Sequence, residues 1–163
     1  MKTWYTPSAL LLSLAVMFPI STHAQSNPSI ESLRGIKSIY VLVEDLASGA
    51  DRVNLTKNTI QTDVELKLRL AGLRVESAEE AVQKGDPYIY VNVNLTDDAG
   101  AADASVQIAQ DATLDRTRQS VVGAITWQRM VVIEKPSADG IRERVKDLTD
   151  SFLNDWLSVN PKN

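Results

Sequence analysis

The chain has 163 residues, of which 44% are hydrophobic and 23% charged, with a formal net charge of −4, no cysteine and a single histidine, His23. The charge balance lacks the clustered Lys and Arg that a phosphate backbone demands, so no nucleic-acid partner is expected, and without cysteine no disulfide supports the fold. Because His23 falls in a targeting segment, the rest of the chain excludes Ser-His-Asp and Cys-His catalysis, thiolate or imidazole zinc sites, haem ligation and iron-sulfur clusters.

Residues 1–24 read as a signal peptide. Lys2 precedes an apolar run from Ala9 to Ile20, and Ser21-Thr22-His23-Ala24 places small residues before a cleavage point after Ala24. Pro19 interrupts the run, which is also shorter than a spanning helix requires, so no membrane insertion is expected after cleavage and the localisation is periplasmic or secreted. Removal of Lys2 leaves 16 basic residues against 21 acidic ones, a formal charge of −5. Residues 25–35, polar and containing Pro28, read as a flexible lead-in, and 36–163 as one domain with a single core.

In "IKSIYVLVEDL", Ile39, Val41 and Val43 alternate with Tyr40 and Leu42, which is the pattern of a central strand. "SGADRVNL" is a turn region. Ile60, Val64, Leu68 and Ala71 then recur at helical spacing, with a capping box expected from Asn58 and Gln61, and Gly72 stops the helix. Leu73-Arg74-Val75 starts a second strand, parallel to the first because a helix intervenes. Ser77 opens a short helix with Glu79 and Glu80 in its first turn, and Gly85-Asp86-Pro87 forces a turn.

"YIYVNVNL", residues 88–95, follows a strict period of two: Ile89, Val91, Val93 and Leu95 on one face, Tyr88, Tyr90, Asn92 and Asn94 on the other. "TDDAGAAD" is a hairpin connection, and "ASVQIAQDATL" alternates again as the antiparallel partner, with Gln110 as its misfit. "AITWQRMVVIEK" is a long strand with two mixed faces, closed by Pro136. From Asp139 onward, Ile141, Val145, Leu148, Phe152 and Trp156 form the apolar stripe of a helix of about four to five turns.

The expected fold is therefore α/β (α+β), a single mixed sheet of about five strands with two long helices on one face, in the order β-α-β-(short α)-β-β-β-α. This order, with the helix ending in "LAGLRV" and the closing amphipathic helix, resembles small α/β modules of the bacterial envelope: the amino-terminal domain of TolB and the periplasmic domains of CsgG-like and LpoB-like proteins. The tail "FLNDWLSVNPKN" is similar to the end of a group of exported bacterial proteins. The resemblance implies a role played by contact with other envelope proteins and no catalytic residue; the chain lacks the anchoring cysteine of the lipoproteins among these modules.

Candidate chemistry is sparse. Glu44-Asp45 are strand neighbours that point to opposite faces, Glu79-Glu80 suit a helix dipole, and Asp97, Asp98 and Asp103 do not follow the spacing of a calcium loop, so neither metal nor cofactor is expected. The surface expected to bind is the face of Tyr88, Tyr90, Asn92 and Asn94, joined by Trp127 if that ring shares it, since Tyr offers contact area at low entropic cost and Asn adaptable hydrogen bonds. Its solvated alternative is an ordinary polar sheet face. The function expected is a non-catalytic interaction or accessory domain whose partner is an envelope protein; the alternative is a small-ligand binder or a carboxylate-based hydrolase.

Overall fold

Residues 27–161 are described in the computed structural model; the signal sequence expected at 1–24, with its cleavage point, lies outside them. The first element is one helical turn, α1 (Pro28–Glu31), capped by Asn27, whose Oδ1 accepts the Ser29 amide at 3.1 Å. Pro28 fits the first turn, where its missing N–H has no helical partner to lose. Part of the flexible lead-in expected at 25–35 is thereby corrected, because Leu33 is fully buried; Ile36, at the start of the domain, is buried as well. The chain's tail holds this segment: Trp156 Nε1 donates to Ile36 O at 2.9 Å, Asn160 Nδ2 to Leu33 O at 3.0 Å, and the Gly35 amide to Asn160 Oδ1 at 2.7 Å.

Strand β1 (Ser38–Val43) sends Ile39, Val41 and Val43 into the core and leaves Tyr40 and Leu42 half-buried on the other face. The turn region that follows contains a further short helix, α2 (Gly49–Arg52), whose glycine is dictated by contact: a Cβ on Gly49 would lie 2.3 Å from Thr96 O. Helix α3 (Lys57–Ala71) is capped by Thr56, whose Oγ1 accepts the Thr59 amide at 3.3 Å, and not by Asn58, which sits inside the first turn. Its stripe of Ile60, Val64 and Leu68 is fully buried, and it ends at Gly72 with φ 99°, where a left-handed residue frees the chain for β2 (Arg74–Glu76).

Helix α4 (Ala78–Lys84) has a complete capping box: the Ser77 side chain accepts the Glu80 amide while the Glu80 carboxylate accepts the Ser77 amide. Strand β3 (Tyr88–Leu95) occupies the predicted span. Strands β4 (Ala101–Thr113) and β5 (Ser120–Glu134) each begin before the positions read from sequence, Ala104 and Ala124. Helix α5 (Ala138–Val159) is 22 residues long, about six turns, because Leu153 and Val159 prolong the buried stripe of Ile141, Val145, Leu148, Phe152 and Trp156.

The sheet runs β2-β1-β3-β4-β5, with β1 parallel to both its neighbours and β3, β4 and β5 antiparallel in sequence. Both long helices lie on one face. Arg142 bridges α5 to Asp63 of α3 at 2.7 and 3.0 Å, and Lys67 reaches Asp150 at 2.6 Å. The short helix α4 sits at the opposite face, where Ala81 and Val82 share a cavity with Tyr40 and Tyr88, so that face is covered at one end and open over the remainder.

Candidate functional site

Register fixes the composition of the open face. Tyr88, Tyr90, Asn92 and Asn94 lie opposite Ala109, Gln107, Ser105 and Asp103 of β4, and Tyr40 and Leu42 of β1 pair with Tyr88 and Tyr90. Across β4, Ser105 pairs with Met130 and Asp103 with Val132, so the same face continues onto β5 as apolar side chains. Tyr88, Tyr90 and Asn92 are half-buried and Asn94 is exposed. The four β3 residues thus share one surface, as their period of two dictates.

Trp127 does not join them. It pairs with Ile108, which is fully buried beneath the helices, and is itself only 1% exposed. Its ring meets Phe152 edge-on at 5.6 Å, its Nε1 donates to Asp155 Oδ2 at 2.9 Å, and Arg129 caps it at 5.0 Å while also donating to Asp155 at 3.0 Å. The physical reason is register: Trp127, Arg129 and Val131 pair with Ile108, Val106 and Ala104 on the helix side, and a β-bulge that skips Thr126 then turns Ile125, opposite Ala109, to the open face.

Polar contacts organise the open face. Tyr90 Oη donates to a Glu44 carboxylate oxygen, and this bond to a charged acceptor is the first cause that holds the Tyr90 phenol above its ordinary pKa. Asn94 Nδ2 donates to Asp103 Oδ2 at 3.2 Å, while Asn92 Oδ1 is buried without a hydrogen-bond partner. Glu44 and Asp45 lie beyond the end of β1 and not within a strand; Glu44 accepts from Tyr90 and Asp45 from Lys57 Nζ at 2.8 Å. Buried Glu76 accepts from both Arg74 and Lys84, the latter at 2.6 Å. At the β3–β4 turn the Asp98 carboxylate accepts from Thr96 Oγ1 at 2.6 Å and from the Gly100 amide at 3.0 Å, which lowers its pKa and accounts for it as a turn residue.

Sequence reasoning missed the outer edge of β5. This 15-residue strand has one neighbour, and Val122, Ile125, Met130 and Val132 are 84, 56, 60 and 70% exposed. Two of its carbonyls already have side-chain donors: Ser29 Oγ bonds Thr126 O, and Arg129 Nη1 bonds Gln128 O, both at 2.9 Å. Beyond Gln128, Met130 and Val132 are exposed on a stretch whose carbonyls carry no such bond among the described residues. No residue pattern marked this edge, because apolar residues of both parities are also what a strand covered on both faces shows.

Among the described residues no three His, Cys, Asp or Glu side chains cluster as a metal site, and no helix is long and apolar enough to cross a membrane. The cavity between α4 and the β4–β5 hairpin holds about 180 Å³, below the roughly 300 Å³ at which pockets for drug-sized ligands begin.

No protein-family model matches the chain, and no curated protein does. Among solved structures, a point-variant PelC dodecamer from Paraburkholderia phytofirmans is similar over 76% of this chain and 89% of that one, with 17% identity and a TM-score of 0.44. A second PelC dodecamer from the same organism, in another crystal form, is similar over 73% of this chain and 87% of that one, with 15% identity and a TM-score of 0.41.

Proposed function

We propose that this protein is a non-catalytic, exported interaction domain of the cell envelope, which meets an envelope protein through the outer edge of β5 and the adjoining open face. The observation that carries the reading is the state of β5: a long edge strand that leaves Met130 and Val132 60 and 70% exposed beside unpaired backbone. Edge strands of stable monomers are short, charged or covered, because a row of free N–H and C=O groups templates pairing with another chain. Here the protection stops at Gln128, and the residues after it offer both main-chain hydrogen bonds and apolar contact to an added strand. Contact of this kind is also what the resemblance to envelope modules implies, and a partner outside the cytoplasm is what the signal peptide expected at 1–24 would give it.

A photo-crosslinking amino acid at Val132, in cells making the full chain, is expected to yield a discrete adduct with an envelope protein, whereas the same group at Glu143, exposed on α5, yields none. Failure of Val132 to form any adduct, or identical adducts from both positions, overturns the reading.

A further inference from the structure

The cavity beneath α4 has a lining that matches one kind of chemical group. Its floor is built by Tyr40 and Tyr88, which are cross-strand partners, and its mouth by Val82 of α4 and Val122 of β5, which are 83 and 84% exposed. Asp86 and Asp111 are the charged residues of the lining, and no lysine or arginine contributes to it. Lys84, the cation of α4, is held instead by Glu76 at 2.6 Å. Each lining carboxylate uses one oxygen inside the protein: Asp86 Oδ2 accepts from Ser38 Oγ at 2.8 Å, and Asp111 Oδ1 accepts from the Gly123 amide at 3.2 Å. Among the described residues no donor bonds the second oxygen of either.

The hairpin is bent to make this enclosure. Gly123 adopts φ +67°, and a Cβ there would lie 3.3 Å from Tyr88 Oη, so the backbone of β5 passes close to the tyrosine at a register shift, while Val121 and Ser120 stay paired with Ala112 and Thr113. A volume of about 180 Å³ is that of roughly six waters, enough for a group of about five to seven heavy atoms. Aromatic rings and carboxylates in an otherwise apolar lining favour an alkyl stem that ends in a positive charge: the rings attract the cation through their quadrupoles, the carboxylates through Coulomb and hydrogen-bonding terms, and the apolar wall takes the methylenes.

We propose that this cavity receives one basic side chain, lysine or arginine, from a partner protein. The exposed valines at the mouth supply the apolar contact that the peptide carrying that side chain needs, which a free diamine cannot use. The proposal extends the interaction reading but stands on residues remote from Met130 and Val132, so either can fail alone.

Amide chemical shifts of the full chain, followed by NMR during titration with Nα-acetyl-lysine amide, are expected to move saturably at Gly85 and Gly123. The neutral isostere Nα-acetyl-norleucine amide is expected to bind at least about fivefold more weakly, and Asp111→Asn, which keeps the acceptor for the Gly123 amide while removing the charge, to weaken the lysine derivative about two- to fivefold with α5 amides unmoved. Absence of binding, equal binding of the norleucine derivative, an unchanged affinity in Asp111→Asn, or tighter binding of 1,4-diaminobutane each overturns the proposal, while the Val132 crosslink separately decides the role of β5.

Discussion

Trp127 ties β5 to α5 through two contacts, its ring against Phe152 and its indole N–H on Asp155, while Arg129 of the same strand covers its face. Removing it therefore opens a cavity and strips Asp155 of a donor, and Trp127→Ala is expected to lower the unfolding free energy by about 3–5 kcal/mol, measured as a shift in the urea midpoint at unchanged slope. An unchanged midpoint would mean that the ring is not in the core. The side of the sheet it occupies was not legible in the sequence, since both parities of β5 are mixed and the skipped residue Thr126 reverses them locally. In β3 no such defect intervenes, and the placement of Tyr88, Tyr90, Asn92 and Asn94 on a common face followed directly from alternation. Capping was harder to read: Thr56 and Asn58 are both competent N-cap residues two positions apart, and the backbone chose the first.

The two long helices show why their stripes were the most readable feature and their polar ends less so. Ile60, Val64 and Leu68, with Ile141, Val145, Phe152 and Trp156, repeat at a spacing that only a helix satisfies, and every one is buried. The ion pair that joins the helices depends on how they lie together and has no local signature. Arg142 grips both oxygens of Asp63, whose side chain is 16% exposed, and this bond holds the Asp63 carboxyl below its ordinary pKa. A depressed folded-state pKa stabilises the fold at pH values above the ordinary aspartate range, about 3.9, and that contribution is lost as pH falls through the folded value. Asp63→Asn is accordingly expected to cost about 1 kcal/mol at neutral pH and to converge on the parent protein in acid. Urea titrations at the two pH values check this, and a deficit that persists undiminished in acid would assign the loss to packing.

The parallel pairing of β1 with β2 follows from the helix between them and the antiparallel pairing of β3 with β4 from their hairpin, so both were legible from element order, whereas the insertion of β1 between β2 and β3 and the place of β5 at the rim were not. The contact between the two ends of the described chain was not, because Leu33 and Ile36 form too short a pattern to register as a core element and their partners are more than a hundred residues away. Those partners are Trp156, on the last turns of α5, and Asn160, the residue that caps it. A chain ending at Asp150 lacks Phe152, Leu153, Trp156 and Val159, each buried and worth about 1.5–3 kcal/mol, against a total stability of about 5–15 kcal/mol for a domain of this size. It is expected to show no cooperative unfolding transition by circular dichroism, and a sigmoidal melt from that truncated chain would contradict the packing described for the tail. The clasp of Trp156 and Asn160 on Leu33 and Ile36 also sets a schedule. During synthesis the early segment emerges long before the groups that seal it, so the growing polypeptide holds an unfinished interior until its final turns appear, and any machinery that threads only slack chains has that whole interval in which to engage it.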